Sequence, residues 1–246
     1  MLLKTILFLI FSNFILASTI QIAVSANVSY AMEELKKEFN RLYPEIKVKS
    51  SIGSSGKLTA QIENGAPFDI FLSANMKYPK KLYEDNFAIT RPLVYAKGSL
   101  VLFSIKPRDL SQGVNLLTNS DIKKIAVANP KTAPYGTATV DALNKINIYN
   151  KIRDKIVFGE NISATFNYAL RATDVGIVAK SLLFAPKLKD RFKKGKNWID
   201  LNSSIYEPIK QGVVILKHGY KNKDVSLFFS FLFSKDAQKI FREFGY

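Results

Sequence analysis

Between residues 19 and 244 the chain alternates short β-branched runs with segments of helical period, and this alternation narrows its fold more than any other feature. Residues 19–26 (TIQIAVSA) read as a strand, and 28–42 as a helix with Met32, Leu35, Phe39 and Leu42 along one face. Tyr43 and Pro44 end that helix. Residues 46–51 alternate as a second strand, then GSSG precedes a helix over 57–64, with Leu58 and Ile62 four apart and Gly65 as its C-terminal cap. Further strands are expected at 68–73, in two runs of 93–105 broken at Lys97 and Gly98, and at 124–128, 156–158, 174–179 and 211–216. Helices are expected up to Leu143, over 162–171, and over 225–244. Strands that alternate with helices in this way build βαβ units and mostly parallel sheets, an α/β fold. The spacing suggests two lobes, 18–95 plus 206–246 and 96–205, with crossovers near 95–97 and 202–206.

Residues 1–17 (MLLKTILFLIFSNFILA) carry Lys4, an apolar stretch and then small residues at Ala17 and Ser18. That is the pattern of a signal peptide cleaved near Ala17, and the stretch is shorter than the ~20 residues a spanning helix needs. The mature protein is therefore expected to be exported. The chain has no Cys, so thiolate metal sites, disulfides and cysteine nucleophiles are excluded. His218 is the single histidine, so no multi-histidine metal site can form. The net charge of +16 suggests an anionic partner, and export removes most nucleic-acid readings of it.

In an open α/β sheet ligands bind outside the carboxyl ends of the strands, where helices begin and free N–H groups favour anions. Four such turns stand out. In the first, Ser25-Ala26-Asn27-Val28-Ser29, Asn27 either caps the following helix or offers an N–H to a ligand. The second, Gly53-Ser54-Ser55-Gly56, sets two hydroxyls between glycines. The third, residues 129–136 (NPKTAPYG), places Tyr135 at a helix start. The fourth is Glu160-Asn161-Ile162-Ser163, with Glu160 assigned outside any ligand shell.

At these residues the chain resembles the periplasmic molybdate-binding proteins of ABC transporters. The runs that carry the resemblance are ANVSYAM (26–32), GSSGKLTAQIENGAPFDIFLSAN (53–75), ANPKTAPYGTA (128–138) and DVGIVAKS (174–181). The resemblance spans the mature chain and implies a type II, two-lobed periplasmic binding-protein fold. Each lobe would hold a mostly parallel sheet flanked by helices, closing on one tetrahedral oxyanion in the interlobe cleft. It implies ligand contacts at Asn27 with Ala26 beside it, at Ser55 with Ser54 beside it, at Tyr135, and at the backbone of Ile162. Many members carry Tyr after the GIV strand, where this chain has Ala179; Tyr135 is expected to supply the missing hydroxyl. The resemblance further implies molybdate or tungstate as ligand, no cofactor, no metal coordinated directly by the protein, no enzymatic activity, a membrane permease as partner, and a monomer.

The donor set fits a fully deprotonated oxyanion, because Asn, Ser, Tyr and backbone N–H groups all donate. Neutral donors also avoid burying a cation. A receptor for another oxyanion such as sulfate is one alternative, and a secreted hydrolase using Ser55 and His218 is another. His218 lies in a polar turn (216–223) and reads as a solvated loop residue. The basic run 187–198 (KLKDRFKKGKNW) reads as a solvated helix end and loop, and Lys180 as a surface residue.

Overall fold

The computed structural model describes residues 18–246; the segment expected to be a signal peptide, and its expected cleavage site, lie outside the described residues. The first sheet begins with β1 (Ser18–Ser25), followed by α1 (Ser29–Leu42), β2 (Ile46–Gly53), α2 (Ser55–Glu63), β3 (Ile70–Leu72), α3 (Lys77–Glu84) and β4 (Leu93–Gly98). After Ser99 the chain enters a second sheet, with β5 (Leu100–Phe103), β6 (Ile125–Ala128), α4 (Pro134–Lys145), α5 (Tyr149–Ile152), β7 (Ile156–Gly159), α6 (Ile162–Arg171), β8 (Val175–Ala179) and β9 (Trp198–Asp200). It then returns to the first sheet as β10 (Ile209–Ile215) and closes with α7 (Lys223–Phe231) and α8 (Lys235–Glu243).

The strand orders are β2-β1-β3-β10-β4 and β7-β6-β8-β5-β9. Each sheet has one reversed strand, and in each it is the strand that has just arrived from the other lobe. β10 runs antiparallel between β3 and β4, and β5 antiparallel between β8 and β9. The remaining pairs, β1 with β2 and β3, and β6 with β7 and β8, are parallel. Parallel pairing brings the carboxyl ends of these strands to one rim of each sheet, and helices start from those rims.

Each lobe has its own core. In the first, α1 buries Ala31, Met32, Leu35 and Phe39. Phe39 meets Phe228 edge-on at 4.9 Å and Phe231 at 5.4 Å. Leu42, expected on this face, is 42% exposed. Tyr43, packed on Phe39 at 4.9 Å, fills that place instead. In the second lobe Phe103 sits between Phe166 at 5.3 Å and Phe192 at 4.9 Å. Each such aromatic pair is worth about 0.5–1.5 kcal/mol beyond its buried area. Gly65 follows α2 with φ of 85°, the conformation that a glycine after a helix supplies most easily.

The basic run is the mostly exposed loop expected, but it has no helix end: turns, a bend and one bridge lead into β9. Phe192 and Trp198 are buried anchors. Lys180 and Lys194 both pair with Asp200, at 2.9 and 2.6 Å, and both lie over the Trp198 ring. Lys180 is therefore committed to packing the second lobe.

Candidate functional site

The two rims face each other across a small recess. From the first lobe come Ser25, Ala26 and Asn27 at the end of β1, Gly53, Ser54 and Ser55 at the end of β2, and Ala74 after β3. From the second come Ala133 and Pro134 ahead of α4, and Asn161 and Ile162 ahead of α6. No lining residue is charged.

The recess is rich in donors. Ser54 Oγ is buried and has no hydrogen-bond partner, an arrangement that costs free energy unless a ligand satisfies it. Ser55 Oγ accepts the Ala74 N–H at 3.0 Å, so its own proton remains free to donate. At α6, Asn161 Oδ1 accepts from Ala164 N–H at 2.9 Å, which leaves the N–H groups of Ile162 and Ser163 for another acceptor. At α4, Ala133 gives no side-chain cap, so the Tyr135 N–H is uncapped as well. Ala26, Asn27, Ser54, Ser55 and Ile162 all line this recess.

Tyr135 differs from expectation. Its side chain is 1% exposed and is absent from the lining; its hydroxyl faces Gln211 Nε2 at 3.4 Å. The missing hydroxyl at Ala179 is therefore not replaced by the Tyr135 phenol. Asn27 also differs. It lies within a 3-10 turn, Ala26–Val28, and its side chain caps no helix. Its Oδ1 accepts from Ser25 Oγ at 2.8 Å, while Nδ2 donates to Gln211 Oε1 at 2.7 Å and Tyr246 Oη at 3.0 Å.

Several bonds tie the lobes together across the recess. Gly56 N–H donates to Thr132 O at 2.9 Å, Ser163 Oγ to Ala26 O at 2.8 Å, and Ser181 Oγ to Asn27 O at 2.9 Å. The structure therefore shows the closed arrangement. Sequence reasoning missed Ser181, Gln211 and Tyr246, because nothing local marks a hydroxyl or amide that bonds to a turn more than 150 residues away.

The comparisons agree with this architecture. A family model described as bacterial extracellular solute-binding protein matches residues 20–246. The chain belongs to that family. Within it, the Molybdate-binding protein ModA of Rhodobacter capsulatus is 34% identical over 91% of this chain and 86% of its own length. The ModA protein of Azotobacter vinelandii is 33% identical over 94% of this chain and 90% of its own. The solved structure of the Azotobacter vinelandii periplasmic molybdate-binding protein superposes with a TM-score of 0.85 at 31% identity, covering 92% of this chain and 98% of that one.

In this solute-binding protein the phenols behind the recess are held as neutral donors. Burial pushes the pKa values of Tyr95, Tyr135 and Tyr246 well up, so each keeps its proton at neutral pH. The rim of the cleft carries an ion pair between lobes, Lys57 with Glu160 at 2.7 Å, both side chains more than half exposed. Glu160→Gln is expected to weaken ligand binding by only ~0.2–1 kcal/mol, and less at high salt. Titrations at two salt concentrations check this.

His218 is half exposed, as expected of a loop residue, but it is also bonded. Its Nδ1 lies 2.7 Å from Oδ1 of the buried Asp69, whose Oδ2 accepts the Gln21 N–H at 2.6 Å. Asp69 precedes β3 and Ser55 bonds just after it, so the strand separates the two by roughly 15 Å at about 3.3 Å per residue. Ser55 and His218 cannot form a nucleophile–base pair. Asp69→Ala should strip the Gln21 N–H of its partner, costing ~1–3 kcal/mol of stability. In a chain of this size that lowers Tm by about 2–4 °C per kcal/mol. Ligand affinity should stay unchanged, and calorimetry of both quantities checks the separation.

Proposed function

We propose that this protein is an extracytoplasmic receptor that binds molybdate, and tungstate with it, and hands the anion to the membrane permease of an ABC importer. It works as a monomer in the periplasm, binds without chemistry, and needs no cofactor. The observation that carries the reading is the recess itself: small, uncharged, and lined by donors that include the orphan hydroxyl of Ser54. Its ligand set is Ser54, Ser55, the backbone of Tyr135 and Ile162, and the Ala26–Asn27 turn. A shell without carboxylates suits an oxyanion that has no proton to donate, and so disfavours protonated phosphate. The family relatives named for molybdate favour molybdate over sulfate.

Closure supplies the energetics. The ligand would satisfy the orphan donors at the moment the lobes meet, and the cross-lobe bonds then add to its retention. Thermal unfolding tests the reading. Molybdate at a hundredfold excess over its dissociation constant should stabilise the protein by ~2.7 kcal/mol. An unchanged Tm with molybdate and tungstate would remove the support for it.

A further inference from the structure

Gln211 is fully buried on β10, at the point where the register between β10 and β4 shifts. Its amide joins three elements. Oε1 accepts from Tyr95 Oη on β4 at 2.9 Å and from Asn27 Nδ2 at 2.7 Å, and Nε2 donates to Tyr135 Oη on α4 at 3.4 Å. Tyr95 and Asn27 belong to the first lobe with Gln211, whereas Tyr135 belongs to the second. β10 is also the strand by which the chain returns between lobes, so this amide sits where a change of lobe angle is felt.

The bonds have a defined direction. Tyr95, protonated, donates to Gln211 Oε1 and so fixes which end of that amide is the acceptor. That acceptor in turn fixes Asn27 Nδ2 toward β10, while Ser25 Oγ holds Asn27 Oδ1. The main-chain oxygen of Asn27 is gripped too, by Tyr246 Oη at 2.8 Å and Ser181 Oγ at 2.9 Å. Asn27 is thereby held at side chain and backbone, and the turn it belongs to forms one wall of the recess.

We propose that Gln211 is a positioning residue for ligand binding: it holds Asn27 at the wall of the recess and, through Tyr135, registers the second lobe upon it. It touches no ligand. Opening the lobes removes the Tyr135 arm and leaves a buried amide hydrogen unpaired, so closure and the placement of Asn27 favour each other. This rests on the receptor reading above.

The test is a double-mutant cycle on the full mature chain, with molybdate as probe. Gln211→Met, of similar volume, should weaken binding about tenfold, as for loss of one buried hydrogen-bonding arrangement. In an Asn27→Ala background the same change should cost less than about twofold, because the residue it acts through is gone. Equal losses in both backgrounds, or none in the wild type, overturn the proposal. Should Gln211→Met fail to fold, Tyr135→Phe cuts only the interlobe arm, and the same comparison decides. An independent readout is the Asn27 side-chain amide in the NMR spectrum of the ligand-free protein. Both protons should be protected in the wild type, and in Gln211→Met the one bonded to Gln211 should lose its protection while Tyr246 Oη still holds the other; unchanged signals overturn the proposal. A wild type that binds no oxyanion yet shows this NMR change contradicts the receptor reading while supporting the Gln211–Asn27 link.

Discussion

Replacing Ser54 by Ala should weaken ligand binding while leaving the unliganded protein as stable as before, or more so. Most serine replacements in a buried setting lose a hydrogen bond in the free protein. Ser54 Oγ has none to lose, since it is buried and unpartnered. Removing it takes away an unsatisfied polar group, which is neutral or favourable by up to ~1 kcal/mol. Bound to an anion, the same hydroxyl makes a charge-assisted bond worth ~1.5–3 kcal/mol, so affinity should fall roughly 10- to 150-fold. Ser55→Ala differs in sign for stability, because it strands the buried Ala74 N–H that Ser55 Oγ now receives. It should lower both affinity and Tm. Paired calorimetric measurements of binding and unfolding separate the two serines; an equal loss of Tm in both variants would contradict their assignment.

Gly56→Val should impair binding as strongly without disturbing either core. A Cβ at this position would come 3.0 Å from Thr132 O and 3.1 Å from Thr132 Cα, both main-chain atoms of the other lobe. It would also crowd the Tyr78 hydroxyl at 2.7 Å. The Gly56 N–H to Thr132 O bond is among the contacts that close the cleft. An isopropyl group there cannot be absorbed by a rotamer change of the opposing backbone, but the lobes can part to make room. The strain, ~1–3 kcal/mol for overpacking, then falls on closure and not on folding. Affinity should drop about 10- to 100-fold, mostly through faster dissociation. Small-angle scattering with saturating ligand should show a more open particle than wild type. A Gly56→Val protein that binds normally would mean that the lobes need not come this close.

The two features that define the site had different visibility in the sequence. The serine pair and the helix starts were legible because they are local: a strand end, glycines, hydroxyls and a new helical period lie within a few residues. Ser54, Ser55 and Ile162 accordingly fall where expected. The direction of a side chain was not legible. Tyr135 sits at a helix start as predicted, yet its phenol turns inward to Gln211, because the buried amide there needs an acceptor. His218 is half exposed as expected, but its bond to Asp69 was hidden for the same reason, the partner lying 149 residues away in the chain. β9 was hidden because its basic flank resembles a surface loop, and only tertiary packing reveals Trp198 as an anchor. α3 was hidden by Pro79 and by its four charged residues, with only Pro79 and Leu82 buried.

The charge finds a limited role. Among the described residues no Lys or Arg lines the recess. Long-range attraction of that surplus can raise the encounter rate of an anion, an effect that salt screens over about 10 Å at 0.1 M. In the proposed function, recognition falls to neutral donors and selectivity to their geometry.

Isothermal titration of the mature protein with molybdate, tungstate, sulfate and phosphate tests this account most directly. It predicts one site with sub-micromolar affinity for molybdate and tungstate, and at least 100-fold weaker binding of the other two, a gap of about 2.7 kcal/mol. Equal affinity for sulfate, or no heat with any of the four, would contradict it.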